Sequence, residues 1–257
     1  MLPNILRTEG DLDMALEALS KMDQVGIVPS HNAYLSIIKA CTKKKGVNHT
    51  KHVYDHIVHH KVAISGMLGG HLVMALAKCG LFDDACHVFY GLGRPSIFAW
   101  TALISGYVDH GRANDALLLY YHGKNSDGLE PNHYTFVSLL KACGSLQNIT
   151  NARRLHDDIG KMGFMSNVYV VNTLVSMYGK CGAVAEAEEV FFTFSRQDIV
   201  SWNVLLSAYV DQNKGFKALV LYRKLHQEGL VPDKHSFMFA LHACGIISKE
   251  VYNKSNE

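Results

Sequence analysis

Five histidines fall within residues 49–60: His49, His52, His56, His59 and His60. Their i, i+3 and i+4 spacings would put several imidazoles on one face of a helix, a geometry that can share a metal ion. A structural zinc site takes four well-spaced ligands, and no cysteine or carboxylate constellation joins these five. The corresponding stretch at 151–163 carries only His156. The expectation is therefore no metal and no cofactor. His226-Gln-Glu228 matches the H-x-E half of a zinc-deaminase signature, but the P-C-x-x-C half is missing. The six cysteines (Cys41, Cys79, Cys86, Cys143, Cys181 and Cys244) form no C-x-x-C pair, which disfavours a zinc site or a thioredoxin-like motif. There is also no P-loop, no G-x-S-x-G elbow and no paired carboxylate site, so the chain does not read as an enzyme.

The residues that recur are of another kind. Ile97-Phe-Ala-Trp100-Thr-Ala-Leu-Ile-Ser-Gly-Tyr107 returns as Ile199-Val-Ser-Trp202-Asn-Val-Leu-Leu-Ser-Ala-Tyr209, a step of 102. Lys78-Cys79-Gly80 returns as Lys180-Cys181-Gly182 at the same step, and Ala40-Cys41 as Ala142-Cys143 and then Ala243-Cys244. Gly26-x-x-Pro29, Gly128-x-x-Pro131 and Gly229-x-x-Pro232 keep the same beat. Fixed-period self-similarity marks a stacked repeat protein, in which each unit buries its apolar face against its neighbours.

Stripes within the period identify the elements. Trp100, Leu103, Ile104 and Tyr107 are spaced i, i+3, i+4, i+7, the mark of an amphipathic helix, and Gly111 stops it. Ala113 to Tyr121 presents Ala116, Leu117 and Tyr120 on one face of a second helix, and Asn125 to Pro131 reads as loop. Strand signals are weak. Equivalent cuts give units at 31–65, 66–96, 97–132, 133–167, 168–198 and 199–233, with partial units at 1–30 (helix Leu12 to Met22) and 234–257 (helix Ser236 to Cys244). Trp100, Trp202, Tyr107, Tyr178 and Tyr209 belong to the core. The cysteines at equivalent places read as small buried side chains. Neither end carries a polar capping helix, as though the array were cut or docked onto something else.

Composition narrows the partners. Apolar residues make up 48% of 257, and formal net charge is +2. No stretch approaches the roughly 18 apolar residues of a membrane span. The small charge leaves no strong footprint for non-specific nucleic-acid binding, so any such role needs a local groove. Lys43, Lys44, Lys45, Arg153 and Arg154 fall in turns and second helices, where charged residues are usually solvated surface. Residues 1–10 resemble neither a secretory signal nor an Arg-rich, acid-poor transit segment.

The units Trp100-Thr-Ala-Leu-Ile-Ser-Gly-Tyr107 with Gly128-Leu-Glu-Pro131, Tyr134-Thr-Phe-Val-Ser-Leu-Leu-Lys-Ala-Cys143 and Asn172-Thr-Leu-Val-Ser-Met-Tyr-Gly-Lys-Cys-Gly182 resemble pentatricopeptide repeats. The rotation of unit lengths near 35, 31 and 36 resembles the plant-type subclass with ordinary, long and short variants. Tetratricopeptide arrays keep a uniform spacing near 34 and fit less well. The resemblance implies an all-α, right-handed α-solenoid of helix-turn-helix repeats. It also implies binding of single-stranded RNA at one base per repeat in a mitochondrion or chloroplast, in support of transcript processing, editing, stability or translation. The alternative is a scaffold subunit of an organellar ribosome or other large complex, binding organellar proteins. The family's cytidine deaminase would follow the repeats as a separate domain, and this chain stops before one.

By the same resemblance, the fifth and last residues of each repeat read the base. The pairs are Thr101 with Asn132, Asn172 with Asp198, Asn203 with Asp233, Val137 with Asn167, Gly70 with Ser96, and Leu35 with Ser65. Uracil and guanine offer a ring N–H to a carboxylate, whereas adenine and cytosine offer a bare nitrogen to an amide donor. The implied register is adenine, any base, uracil, uracil, with the RNA running 5′ to 3′ along the chain. Met67, Phe98, Tyr134, Tyr169 and Val200 hold the second position, where a ring can stack on a base or seal the contact between neighbouring helices. The last residues are all N-cap types, so capping alone also accounts for that column.

Overall fold

In the computed structural model, described over residues 9–126 and 128–255, the chain is a succession of fourteen helices, with no strand among the described residues. The helices are α1 (Glu9–Gln24), α2 (His31–Lys44), α3 (Val47–His59), α4 (Gly66–Lys78), α5 (Phe82–Gly91), α6 (Ile97–Asp109) and α7 (Ala113–Ser126). They continue as α8 (His133–Leu146), α9 (Ile149–Lys161), α10 (Val168–Lys180), α11 (Val184–Thr193), α12 (Ile199–Asp211), α13 (Gly215–Gln227) and α14 (Lys234–Ser255), with a 3₁₀ turn at Phe164–Ser166. The chain divides into two compact units, Met1–Pro131 and Asn132–Glu257.

Each unit is a stack of helical hairpins. In the first, α2, α4 and α6 lie side by side in that order; α3 packs on α2 and α4, α5 on α4 and α6, and α7 on α6. In the second, α8, α10, α12 and α14 form the row, with α9, α11 and α13 packed behind it. The aromatic stripes meet within these stacks. Trp100 is fully buried, lies parallel to Tyr120 and donates its indole N–H to the Leu119 carbonyl at 3.2 Å. Tyr107 stacks on Phe82, and Trp202 meets Phe191 edge-on.

The sequence period reappears in the turns. Left-handed backbone occurs at Lys45 and Gln147, at Gly80 and Gly182, and at Gly111 and Asn213, each pair one 102-residue step apart. Every one ends the first helix of a hairpin, where a residue at positive φ reverses the chain.

Three expectations are corrected. First, α7 runs on through Asn125 to Ser126, beyond the expected loop start, because Tyr121 to Ser126 holds no proline to stop it. Second, α14 does not end near Cys244 but continues as one helix to Ser255. Gly245 lies inside it, and no described residue there adopts the left-handed conformation that ends α2 and α8. Third, of the cysteines at equivalent places Cys41 and Cys143 are buried as expected, whereas Cys79 and Cys181 are half-buried and Cys244 is exposed.

Candidate nucleic-acid interface

The last residue of each repeat precedes the first helix of the next. There, backbone N–H groups lack intrahelical acceptors and call for a side-chain oxygen. Ser30, Ser96, Asn132, Asn167, Asp198 and Asp233 all accept such bonds, while Ser65 makes none. Capping thus occupies one oxygen of nearly every side chain in this column. At Asn132, Asp198 and Asp233 the third helical residue (Thr135, Ser201 or Ser236) bonds back to the cap's own N–H.

Asn203 and Asp233 form the most developed pair. The Asn203 amide Nδ2 donates to Asp233 Oδ1 at 2.9 Å, and the Ser236 hydroxyl lies 2.7 Å from the Asn203 carbonyl oxygen. Asp233 Oδ1 also accepts from the Ser236 backbone N–H at 2.9 Å. Asn203 is only 8% exposed, whereas the Asp233 side chain is 41% exposed. Oδ1 is therefore spoken for, while Oδ2 lies 3.7 Å from His235 Nδ1. The Ser236 N–H, then the Asn203 amide and the Ser236 hydroxyl, hold the Asp233 carboxyl below its ordinary pKa. Sequence reasoning missed Ser236, although a Ser or Thr three residues after an acidic or amide cap is the signal for it.

The other expected pairs differ. Asp198 accepts from the Ser201 backbone and hydroxyl at 2.8 and 2.9 Å, while half-buried Asn172 makes no hydrogen bond to it. Asn167 accepts from the Tyr169 and Val170 N–H groups, and Val137 is half-buried. Leu35 is half-buried, in α2. Thr101 lies half-buried on α6 of the first unit, and Asn132 caps α8 of the second. Gly70 is covered: a Cβ there would meet the Phe98 ring at 3.0 Å and Ser96 Oγ at 3.7 Å.

The second position behaves uniformly. Met67, Phe98, Tyr134, Tyr169 and Val200 are 67%, 44%, 66%, 73% and 55% exposed. Each stands three residues before the fifth position and so shares its helix face. In the second unit, Tyr134, Tyr169 and Val200 stand on the consecutive neighbours α8, α10 and α12. Apolar side chains left in water at one place on three adjacent helices form a surface suited to flat, apolar ligand faces.

Arg153, expected at the surface, and Lys51 are both engaged with carboxylates on the second helices. Arg153 pairs with Glu186 at 2.6 Å, and Lys51 with Asp84 at 2.7 Å, again one 102-residue step apart. Lys217 pairs with Glu188 at 2.7 Å. No helix among the described residues is long and apolar enough to cross a membrane.

Comparison with known proteins now gives the family. The PPR repeat family model matches residues 95–145 and 197–245, the pentatricopeptide repeat domain model residues 4–44 and 121–181, and a third PPR repeat model residues 169–198. The chain belongs to the pentatricopeptide repeat family. A chloroplastic pentatricopeptide repeat-containing protein of Arabidopsis thaliana is 34% identical over 226 residues, covering 87% of this chain and 43% of that protein. A mitochondrial one from the same plant is 28% identical, covering 84% of this chain and 34% of its own length. The crystal structure of the maize pentatricopeptide repeat protein PPR10 in complex with an 18-nt psaJ RNA element aligns with a TM-score of 0.67 at 22% identity. That alignment covers 94% of this chain and 36% of PPR10, and it shows a common fold. The chain thus spans less than half the length of these relatives. The matched models describe repeats.

Proposed function

We propose that this chain binds single-stranded RNA through the exposed face of its first helices, one base per repeat, in a mitochondrion or chloroplast. Its work would be to support processing, editing, stability or translation of a transcript. The repeat divisions from 31–65 to 199–233, and the rotation of ordinary, long and short units, belong to this reading. The observation that carries it is the exposed second position. Tyr134 and Tyr169 stand in solvent in the first turns of adjacent helices, two residues after the capping amides Asn132 and Asn167. Membership of the family, and the RNA held by PPR10, support it.

Geometry refines the role of each residue. Asn203 is a positioning group that fixes one oxygen of Asp233, while Asp233 Oδ2 is the acceptor for the ring N–H of uracil. Asp198 is the corresponding acceptor for uracil in the preceding repeat, held by Ser201 and not by Asn172. Val137 with Asn167 discriminates little, and Gly70 with Ser96 offers no side chain at the fifth position.

The test is fluorescence anisotropy with a short labelled RNA containing A-N-U-U. Tyr134→Ala with Tyr169→Ala should weaken binding at least tenfold, since each stacked ring contributes roughly 1–3 kcal/mol. Both side chains are exposed, so folding should be unaffected. Equal affinity of the wild type and the double variant, or no affinity for RNA in either, would overturn the reading and leave the scaffold role.

A further inference from the structure

The histidine-rich helix α3 gains in three dimensions what it lacked in sequence, a carboxylate. Asp23, at the end of α1, comes to its C-terminal end, and the ligand atoms of Asp23, His56 and His60 lie within 4.8 Å of one another. This corrects the expectation that no carboxylate joins these imidazoles. His60 Nε2 is 2.8 Å from Asp23 Oδ1, and the His56 and His60 rings lie 4.4 Å apart. The backbone N–H of His60 still bonds the His56 carbonyl, so the two imidazoles keep the i, i+4 spacing of helical metal ligands.

An independent observation sits on His56. The side chain is 8% exposed, its Nδ1 is hydrogen-bonded to the Tyr34 hydroxyl at 2.9 Å, and its Nε2 is buried with no hydrogen-bond partner. A buried imidazole nitrogen without a partner carries an uncompensated desolvation cost. A hydroxyl held on one ring nitrogen, with the other nitrogen bare, is the arrangement by which proteins orient a metal-binding histidine. The open pocket beside it is lined by Ser20, Asp23, His52, Asp55, His56 and His59.

The repeat scaffold does not require these groups. One 102-residue step along, Tyr34, His56 and His60 are replaced by Phe136, Asp158 and Met162, and Asp23 by Asn125. The equivalent hairpin still forms, as α8 and α9.

We propose that Asp23, His56 and His60 form a binding site for a divalent transition-metal ion of the zinc class. The ion would tie α1 to α3 and, through Tyr34, to α2. Two imidazoles and one carboxylate suit zinc or cobalt, with a remaining position for water, whereas calcium and magnesium prefer all-oxygen shells.

The experiment is calorimetric titration of Zn²⁺ into the chelator-treated 257-residue protein, with Co²⁺ absorption as the report on the ligand set. One equivalent should bind with micromolar or tighter affinity. Amide exchange across residues 12–24 should slow at least tenfold at saturating zinc, because an ion that binds only the folded arrangement stabilises it by mass action. Asp23→Asn and His60→Ala should each weaken binding at least tenfold, while His235→Ala, on α14, should not. Should His60→Ala fail to fold, Asp23→Asn and His60→Gln provide the same comparison. Absence of stoichiometric zinc binding, or binding unchanged by Asp23→Asn and by the folded His60 variant, overturns the proposal. RNA affinity does not enter any of these readouts.

Discussion

Asn203 shows how one side chain can bind two helices together. Its amide links the cap of α14 to the first turn of α12, and both its ends are engaged, with Asp233 and with Ser236. Asn203→Ala removes a buried donor and acceptor together and leaves the Ser236 hydroxyl only its longer bond to Asp233 Oδ1, at 3.1 Å. A loss of about 1–3 kcal/mol is expected, read by urea denaturation. Asp233 makes a prediction in pH. Its folded-state pKa is depressed, so its contribution to stability is present above the ordinary carboxylate pKa. It is lost as pH falls through the lower folded value. A carboxyl-carbon NMR titration should place Asp233 below the free-aspartate range, and Asp233→Asn should abolish that part of the acid dependence. A midpoint at or above the ordinary value would contradict the hydrogen-bond network. Nothing in the linear chain distinguished a fifth-position Asn facing solvent from one locked onto a cap. Asn172 and Asn203 read alike in the sequence, yet only Asn203 holds its carboxylate.

At the scale of elements, the row of first helices depends on close approach. A Cβ on Gly106 of α6 would stand 2.6 Å from the Ala77 Cβ on α4, and one on Gly179 of α10 would stand 2.5 Å from the Ala208 Cβ on α12. Ala77 and Gly179 are equivalent by the 102-residue step, as are Gly106 and Ala208. Each crossing therefore accommodates one methyl group, and the two crossings place it on opposite partners. Gly179→Ala should destabilise the protein by about 1–3 kcal/mol through overpacking. Adding Ala208→Gly should recover much of that loss, since it rebuilds the crossing of α4 with α6. A double-mutant cycle by thermal or urea unfolding measures the coupling, and additive losses would refute the one-methyl rule. The helices themselves were legible because their apolar stripes and glycine stops are local signals, and the 102-residue echo repeats each of them. The exchange of glycine between partners was not legible, since it depends on which helices touch. The end of α14 was misread for the complementary reason: Gly245 is a local stop signal, and the backbone there stays helical. Asp23 escaped notice because it stands on a different helix, 33 residues before His56.

The whole molecule has 25 lysines and arginines against 23 acidic residues, and several of these charges pair across successive second helices. Such exposed pairs contribute little stability, about 0–1 kcal/mol each, but they divert cations from other use. The RNA recognition proposed for this pentatricopeptide repeat chain should therefore rest on stacking and base-edge hydrogen bonds, with a small phosphate component. For single-stranded nucleic acid, log K falls by roughly 0.7 per neutralised phosphate for each unit of log salt. A ligand seated along a few first helices, and held through rings and capping carboxylates, should give a slope between about −1 and −3. The preference for U-U over C-C opposite Asp198 and Asp233 should survive at the higher salt, because the discriminating bonds are short-ranged and partly shielded from solvent. Anisotropy titrations across several salt concentrations with the two RNAs measure both quantities. A slope of about −6 or steeper, with the uracil preference gone, would mean that the RNA is held by diffuse positive charge and that the exposed rings of α8 and α10 are not its platform.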